Sequence, residues 1–278
     1  MMRKFYLNPE SELAQRFWED GKVADCPIYD MHGHMGIDGS LFFPNITPEK
    51  MLKLMDRAGV RKLCFSHHLA LHAPGFSDVR TCELIRPFGD RFGFYAAINP
   101  NAPQQYRPIL EAYDSFRPWI VGLKCLADYH HVPMDSPLYD EAFRFAVERD
   151  LPVLLHTWGG SRYNAPERVR PVLERHPGLR LIFGHCFRPE LEKAVALARD
   201  YPRTYLELTS IPGYSAIVEY LCGEVGSGRI LFGTDLPWFD EHQAIGGILG
   251  AGISDEERRD IFYRNARKLL GITEPSLP

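Results

Sequence analysis

The sequence predicts an α/β protein: a single (β/α)8 TIM barrel with a short N-terminal extension. Three observations carry that prediction. Eight short apolar runs, rich in β-branched and aromatic residues, recur along 278 residues. Segments with helical period separate them, giving a repeat of roughly 25–35 residues, the size of a βα unit with its return. Most runs are near-continuously apolar rather than alternating, as parallel strands covered on both faces require. Eight such units in a chain of this length favour a closed barrel over an open doubly wound sheet.

The elements follow in order. Residues 1–25, mixed polar and charged, are predicted to form a helical extension outside the barrel, with Leu13 and Phe17 on its apolar face. Residues 26–278 are assigned to the barrel, one domain without an internal linker. Strands are expected at 27–32, 62–66, 92–98, 120–126, 152–156, 179–184, 204–208 and 230–233. Thr47-Pro48 and Ser136-Pro137 each place a capping hydroxyl before a proline at the first helical position. Ser254 with Glu257 reads as a capping box, and Gly271 stops the last helix after Leu269-Leu270. No Gly-x-Gly-x-x-Gly follows the first strand, which argues against dinucleotide binding.

Composition narrows the partners. The chain is 45% hydrophobic with a formal charge of −4 and no basic stripe, so a small-molecule substrate is expected rather than nucleic acid. The leading segment lacks the apolar core of a signal peptide. No apolar run approaches the roughly 20 residues that span a bilayer. Six scattered cysteines without a C-x-x-C pair fit buried packing thiols and a cytoplasmic location. Apolar surface on the leading segment and outer helices leaves room for a homo-oligomer.

In such barrels the active site lies at the carboxyl ends of the strands. There the sequence places Asp30-Met31-His32-Gly33-His34, then His156, Gly184-His185 and Gly233-Thr234-Asp235. His32 and His34 are two apart on an extended strand, so their imidazoles share one side, and Gly33 between them leaves the approach open. His156 and Asp235 project toward the same axis. Three imidazoles and a carboxylate suit one divalent metal, Zn2+ first, with Mn2+, Fe2+, Co2+ or Ni2+ open. A lone strand-end histidine is more often a hydrogen-bonded packing residue. Four ligand-type residues, each at an assigned strand end, seldom coincide without a site.

These motifs, with Asn265-Ala266-Arg267-Lys268-Leu269-Leu270-Gly271 near the end, resemble the amidohydrolase superfamily. More narrowly they are similar to its amidohydrolase-2 branch, which includes aminocarboxymuconate-semialdehyde decarboxylase and related hydrolases. The resemblance runs in order from about residue 27 to 271. It implies His32, His34, His156 and Asp235 as ligands of one metal, with His185 beside the activated water. The cation would bring its water toward a pKa of ~7. The catalytic pair would be Asp235, carrying the proton, and His185, orienting the water or polarising the substrate.

Lys124 lies within an apolar strand and stays open to three readings: a contact to a substrate anion, a structural ion pair, or a carboxylated bridge between two metals as in binuclear superfamily members. Arg162 and Arg188 are candidates to receive a substrate carboxylate, and Trp158 and Trp238 to wall the pocket. His67, His68, Asn99, Glu207 and Ser210 are weaker candidates, with capping or loop roles at least as plain. His72, His130, His131, His176 and His242 read as surface or loop residues. The segments 36–45 and 67–81 are long enough for lids.

The leading expectation is a metal-dependent hydrolase acting on a small-molecule amide, lactone or ester. The alternative is a metal-dependent non-oxidative decarboxylase of a small carboxylic acid. A non-catalytic barrel with a structural metal, or none, is the third reading.

Overall fold

Eight parallel strands hydrogen-bond to one another in chain order. They are β1 (Ile28–Met35), β2 (Val60–His67), β3 (Phe92–Ile98), β4 (Ile120–Cys125), β5 (Pro152–His156), β6 (Arg180–Gly184), β7 (Thr204–Glu207) and β8 (Ile230–Leu231). The computed structural model describes residues 8, 10–44, 46–73 and 75–273. The first seven residues of the expected extension, and parts of both expected lids, lie outside that set. Every predicted strand is present, because each run is apolar on both faces and helices cover the outside. β2 through β4 alone bury Leu63, Phe65, Phe92, Phe94 and Leu123 completely.

β8 is only two residues long, and the extended chain after it closes the ring against β1. Met31 N–H donates to the Phe232 carbonyl (2.9 Å), Asp235 N–H to the His32 carbonyl (2.6 Å), and His34 N–H to the Leu236 carbonyl (2.5 Å). The seam of the barrel therefore runs between the His-x-His pair and Asp235. β1 continues to Met35, beyond the expected end at residue 32, so His34 is a strand residue. Its pairing with β2 shifts register between Asp30 and Gly33, a bulge that re-aims the side chains at the strand end.

The helix Glu12–Asp20 packs outside, with Leu13 buried and Phe17 against the core. Ser11 caps it by accepting from Ala14 N–H, and the Ser11 hydroxyl donates to Asp255 (2.6 Å), tying the extension to the last helical segment. The Ser254–Glu257 capping box forms in both directions. Gly271 takes a φ of +64°, the left-handed conformation that ends a helix. Thr47 differs from expectation. Its hydroxyl makes no cap, because its backbone carbonyl already receives Lys50 N–H (3.1 Å) and Met51 N–H (2.9 Å).

All six cysteines are buried free thiols, consistent with packing roles. No helix among the described residues is long and apolar enough to cross a membrane.

Candidate active site

The site begins with what fixes two strand ends opposite each other. Asp30, fully buried on β1, accepts from His32 N–H (3.0 Å) and Thr234 N–H (3.1 Å) through one oxygen. Its other oxygen takes the Thr234 hydroxyl (2.5 Å). That clip holds the chain beyond β8 to β1 and sets Asp235 beside the His-x-His pair. Gly233 is needed there, since a Cβ would lie 2.0 Å from Glu207 Oε1 and 2.9 Å from His32 Cβ. Gly33 serves a different purpose from the one expected. A Cβ at that position would lie 2.7 Å from Leu63 Cδ1 and 3.3 Å from the Leu236 carbonyl, so its bareness permits packing at the seam.

Two backbone stretches adopt left-handed conformations at the strand ends. Asp235 has φ +65°, and His185, Cys186 and Phe187 have φ +63°, +49° and +54°. Such conformations cost on the order of 1–2 kcal/mol each for residues with a Cβ, and they cluster where geometry serves chemistry.

Four of the five expected residues converge: His32, His34, His185 and Asp235. Asp235 Oδ1 is 3.0 Å from His34 Nε2 and 3.5 Å from His32 Nε2. One donor atom each from His32, His185 and Asp235 lies within 4.8 Å of the others. His185 thus belongs to the same close group as His32 and Asp235. His156 stands farther out, its ring centroid 4.8 Å from that of His185 and its Nδ1 3.6 Å from Asp128. Asp128 is fixed by the Ser161 hydroxyl (2.5 Å) and the Asn164 amide. His185 shows no packing bond of its own, since its Nδ1 is buried without a partner.

Electrostatics prepare the cluster for a cation. Burial pushes His34 down to about 3, and pushes His32 and His185 well below the usual imidazole range, so all three are neutral with lone pairs to offer. Burial alone would raise Asp235, yet His32, His34 and His185 hold its carboxyl well below the ordinary range. Asp235 Oδ1 faces two imidazole nitrogens, but no hydrogen bond reaches it. Imidazole nitrogens and a carboxylate oxygen gathered this closely are the kinds of donor a divalent ion takes, and the donor set fits one.

Glu207, only a weak candidate from sequence, is central. Fully buried, it lies 2.7 Å from His32 Nδ1 and accepts from Thr209 N–H and from the Thr209 hydroxyl, both at 2.6 Å. Burial raises its carboxyl to about 7. Lys124, fully buried on β4, places Nζ 2.7 Å from His32 Nε2, and burial lowers its ammonium to about 8.

A cavity of about 240 Å³ opens above, at the carboxyl ends of the strands. Its floor carries His34, Lys124, His156, His185 and Asp235, and its walls include Tyr129, Trp158, Arg188, Trp238 and Phe239. Arg188 lies over Trp158 (4.8 Å) and donates to the Tyr214 hydroxyl (2.8 Å). Arg162 is not brought in. Its guanidinium donates to the Tyr163 hydroxyl (2.6 Å) and lies over that ring, outside the cavity. His72, read as a surface residue, lines the cavity 3.7 Å from Asp38, and His68 stacks on His34 at 4.8 Å. His130 and His176, also read as surface, are buried, bonded to the Leu71 carbonyl (2.9 Å) and to Asp140 (2.9 Å). A larger depression of about 490 Å³ at the amino ends is lined by Arg61, Arg117 and Arg180 and has no histidine.

A model of the amidohydrolase family, the amidohydrolase-2 type, matches residues 29–272. The chain belongs to that family. No curated protein matches the sequence significantly. Among solved structures, an uncharacterised TIM-barrel protein from Bordetella bronchiseptica is similar, with TM-score 0.73 and 18% identity over 88% of this chain and 98% of that one. A dihydroxybenzoic acid decarboxylase from a Polaromonas species, bound to manganese and the inhibitor 2-nitroresorcinol, gives TM-score 0.67 and 17% identity over 90% and 98%. A probable 2-pyrone-4,6-dicarboxylic acid hydrolase from Acinetobacter baumannii, with citric acid bound, gives 0.66 and 14% over 88% and 99%. At these identities the likeness carries the amidohydrolase fold and nothing finer. The family is one of enzymes, and this chain is an amidohydrolase-type enzyme whose reaction its own site must decide.

Proposed function

We propose that this amidohydrolase is a metal-dependent hydrolase of a small, carboxylate-bearing lactone, ester or amide. The carrying observation is the Asp235 carboxylate, its Oδ1 set 3.0 Å from His34 Nε2 and 3.5 Å from His32 Nε2, with a His185 donor atom within 4.8 Å. In this reading His32, His34, His156 and Asp235 hold one divalent ion, with His185 close enough to join them or to orient water. The ion, when bound, supplies Lewis acidity and lets water ionise near neutral pH. Asp235 takes the proton from water at its free oxygen and passes it to the leaving group. His185, neutral and buried, holds the attacking oxygen in line or polarises the scissile carbonyl. Trp158 and Trp238 wall off solvent, and the Arg188 guanidinium, seated on Trp158, receives the substrate carboxylate.

Decarboxylation is the second reading. The aromatic wall of Tyr129, Trp158, Trp238 and Phe239 suits a flat ring, and the Polaromonas relative is a decarboxylase. There Asp235 would first take a proton from water and then deliver it to the carbon that loses CO2. Incubation of the Zn2+- or Mn2+-loaded enzyme with lactones, esters, amides and aromatic acids separates the two: acid release without CO2 supports hydrolysis, and CO2 alone overturns it. Chelation should abolish either activity and added metal restore it.

Arg188→Ala should raise KM roughly 10- to 100-fold with kcat changed only a few-fold, the loss of one charge-assisted bond made equally in ground and transition states. Steady-state kinetics on the substrate found in the panel checks it. Unchanged KM would remove Arg188 from the carboxylate's path.

A further inference from the structure

Lys124 stands on the one nitrogen of His32 that a metal needs. Its Nζ is 2.7 Å from His32 Nε2, and both side chains are fully buried. The other ring nitrogen, Nδ1, is committed to Glu207 at 2.7 Å. Glu207 already accepts from the Thr209 N–H and hydroxyl, and His185 N–H approaches the same oxygen that faces His32 (3.4 Å). With Glu207 accepting at Nδ1, the lone pair of His32 is the one on Nε2, the atom that faces Lys124. That lone pair belongs to the trio His32, His185 and Asp235, whose donor atoms share one neighbourhood. A single lone pair accepts a proton from an ammonium or binds a cation, and cannot do both.

We propose that Lys124 is a built-in competitor of the metal: loading the site requires Nζ to leave His32 Nε2. Lys124 also lines the cavity, so once released it presents a cation to the anionic group of a substrate. Metal loading and anion binding are then favourably coupled, each drawing Lys124 off His32. The inference rests on the metal-centre reading above and predicts the opposite sign from a lysine that supports the metal, for which removal would weaken binding.

The test measures metal affinity without any substrate. Wild type and Lys124→Met, freed of metal by chelator dialysis, are titrated with Zn2+ and separately with Mn2+ against a chromophoric chelator. Folding is checked by thermal melts. Lys124→Met should bind each ion at least about tenfold more tightly, as expected when a competing charge-assisted bond and a like charge are removed. Lys124→Gln, which keeps a polar head without charge, should move the same way and serves if the Met variant does not fold. Equal or weaker binding in folded variants overturns the proposal while leaving the metal centre intact. Tight binding by a variant and none by wild type supports it in its strongest form. No binding by any of the three overturns the metal-centre reading and this inference with it.

Discussion

Asp235→Asn should keep the barrel and lose turnover by at least about a thousandfold, a barrier increase of about 4 kcal/mol. The fold survives because Asp235 sits at φ +65°, a left-handed conformation that asparagine tolerates nearly as well as aspartate. Its backbone N–H to the His32 carbonyl, which helps close the barrel, is untouched. What is lost is the acceptor. An amide cannot take the proton from water, and its NH2 group would turn a donor or a weak ligand toward His32 and His34. Elemental analysis beside kinetics separates lost metal from lost proton transfer. Activity within about tenfold of wild type, a loss of only ~1.4 kcal/mol, would sink Asp235 as the proton carrier.

Glu207→Gln should weaken metal binding by roughly 10- to 100-fold, the usual range for the partner that orients a metal-ligating histidine. The effect works through the tautomer of His32. Glu207, as the acceptor 2.7 Å from Nδ1, favours the tautomer whose lone pair is on Nε2. A glutamine can turn its NH2 toward Nδ1 while its oxygen keeps the Thr209 N–H and hydroxyl, both at 2.6 Å. His32 would then carry its proton on Nε2, the atom that must coordinate. A chelator-competition titration reads this directly, and excess metal should recover part of the activity. Unchanged affinity would mean that Glu207 only fills space beneath the site.

Much of this was legible in one dimension. The strands are readable because burial on both faces demands continuous apolar runs, and polar residues of ligand type stand at or just beyond several of their ends. His32 and His34 meet Asp235 as a period of two on an extended strand predicts. Glu207 was nearly lost, since one acidic residue closing a short strand resembles any capping carboxylate. Its weight comes from β7 lying within reach of the first strand's imidazole. Likewise the His72–Asp38 pair joins two segments 34 positions apart, and no local pattern relates them. Arg162 and Arg188 were indistinguishable in sequence. One is spent on its neighbour Tyr163, whereas the other leans on Trp158 at the cavity.

The order of residues alone thus determined the barrel, the depth at which its polar strand ends lie, and the kinds of donor gathered there, because periodicity and side-chain chemistry are local properties. Only the folded chain decided that one nitrogen of His32 faces Glu207 and the other Lys124, and which arginine faces the cavity. Those outcomes depend on distances of a few ångströms between separate strands, which are set by the closing seam and its buried hydrogen bonds.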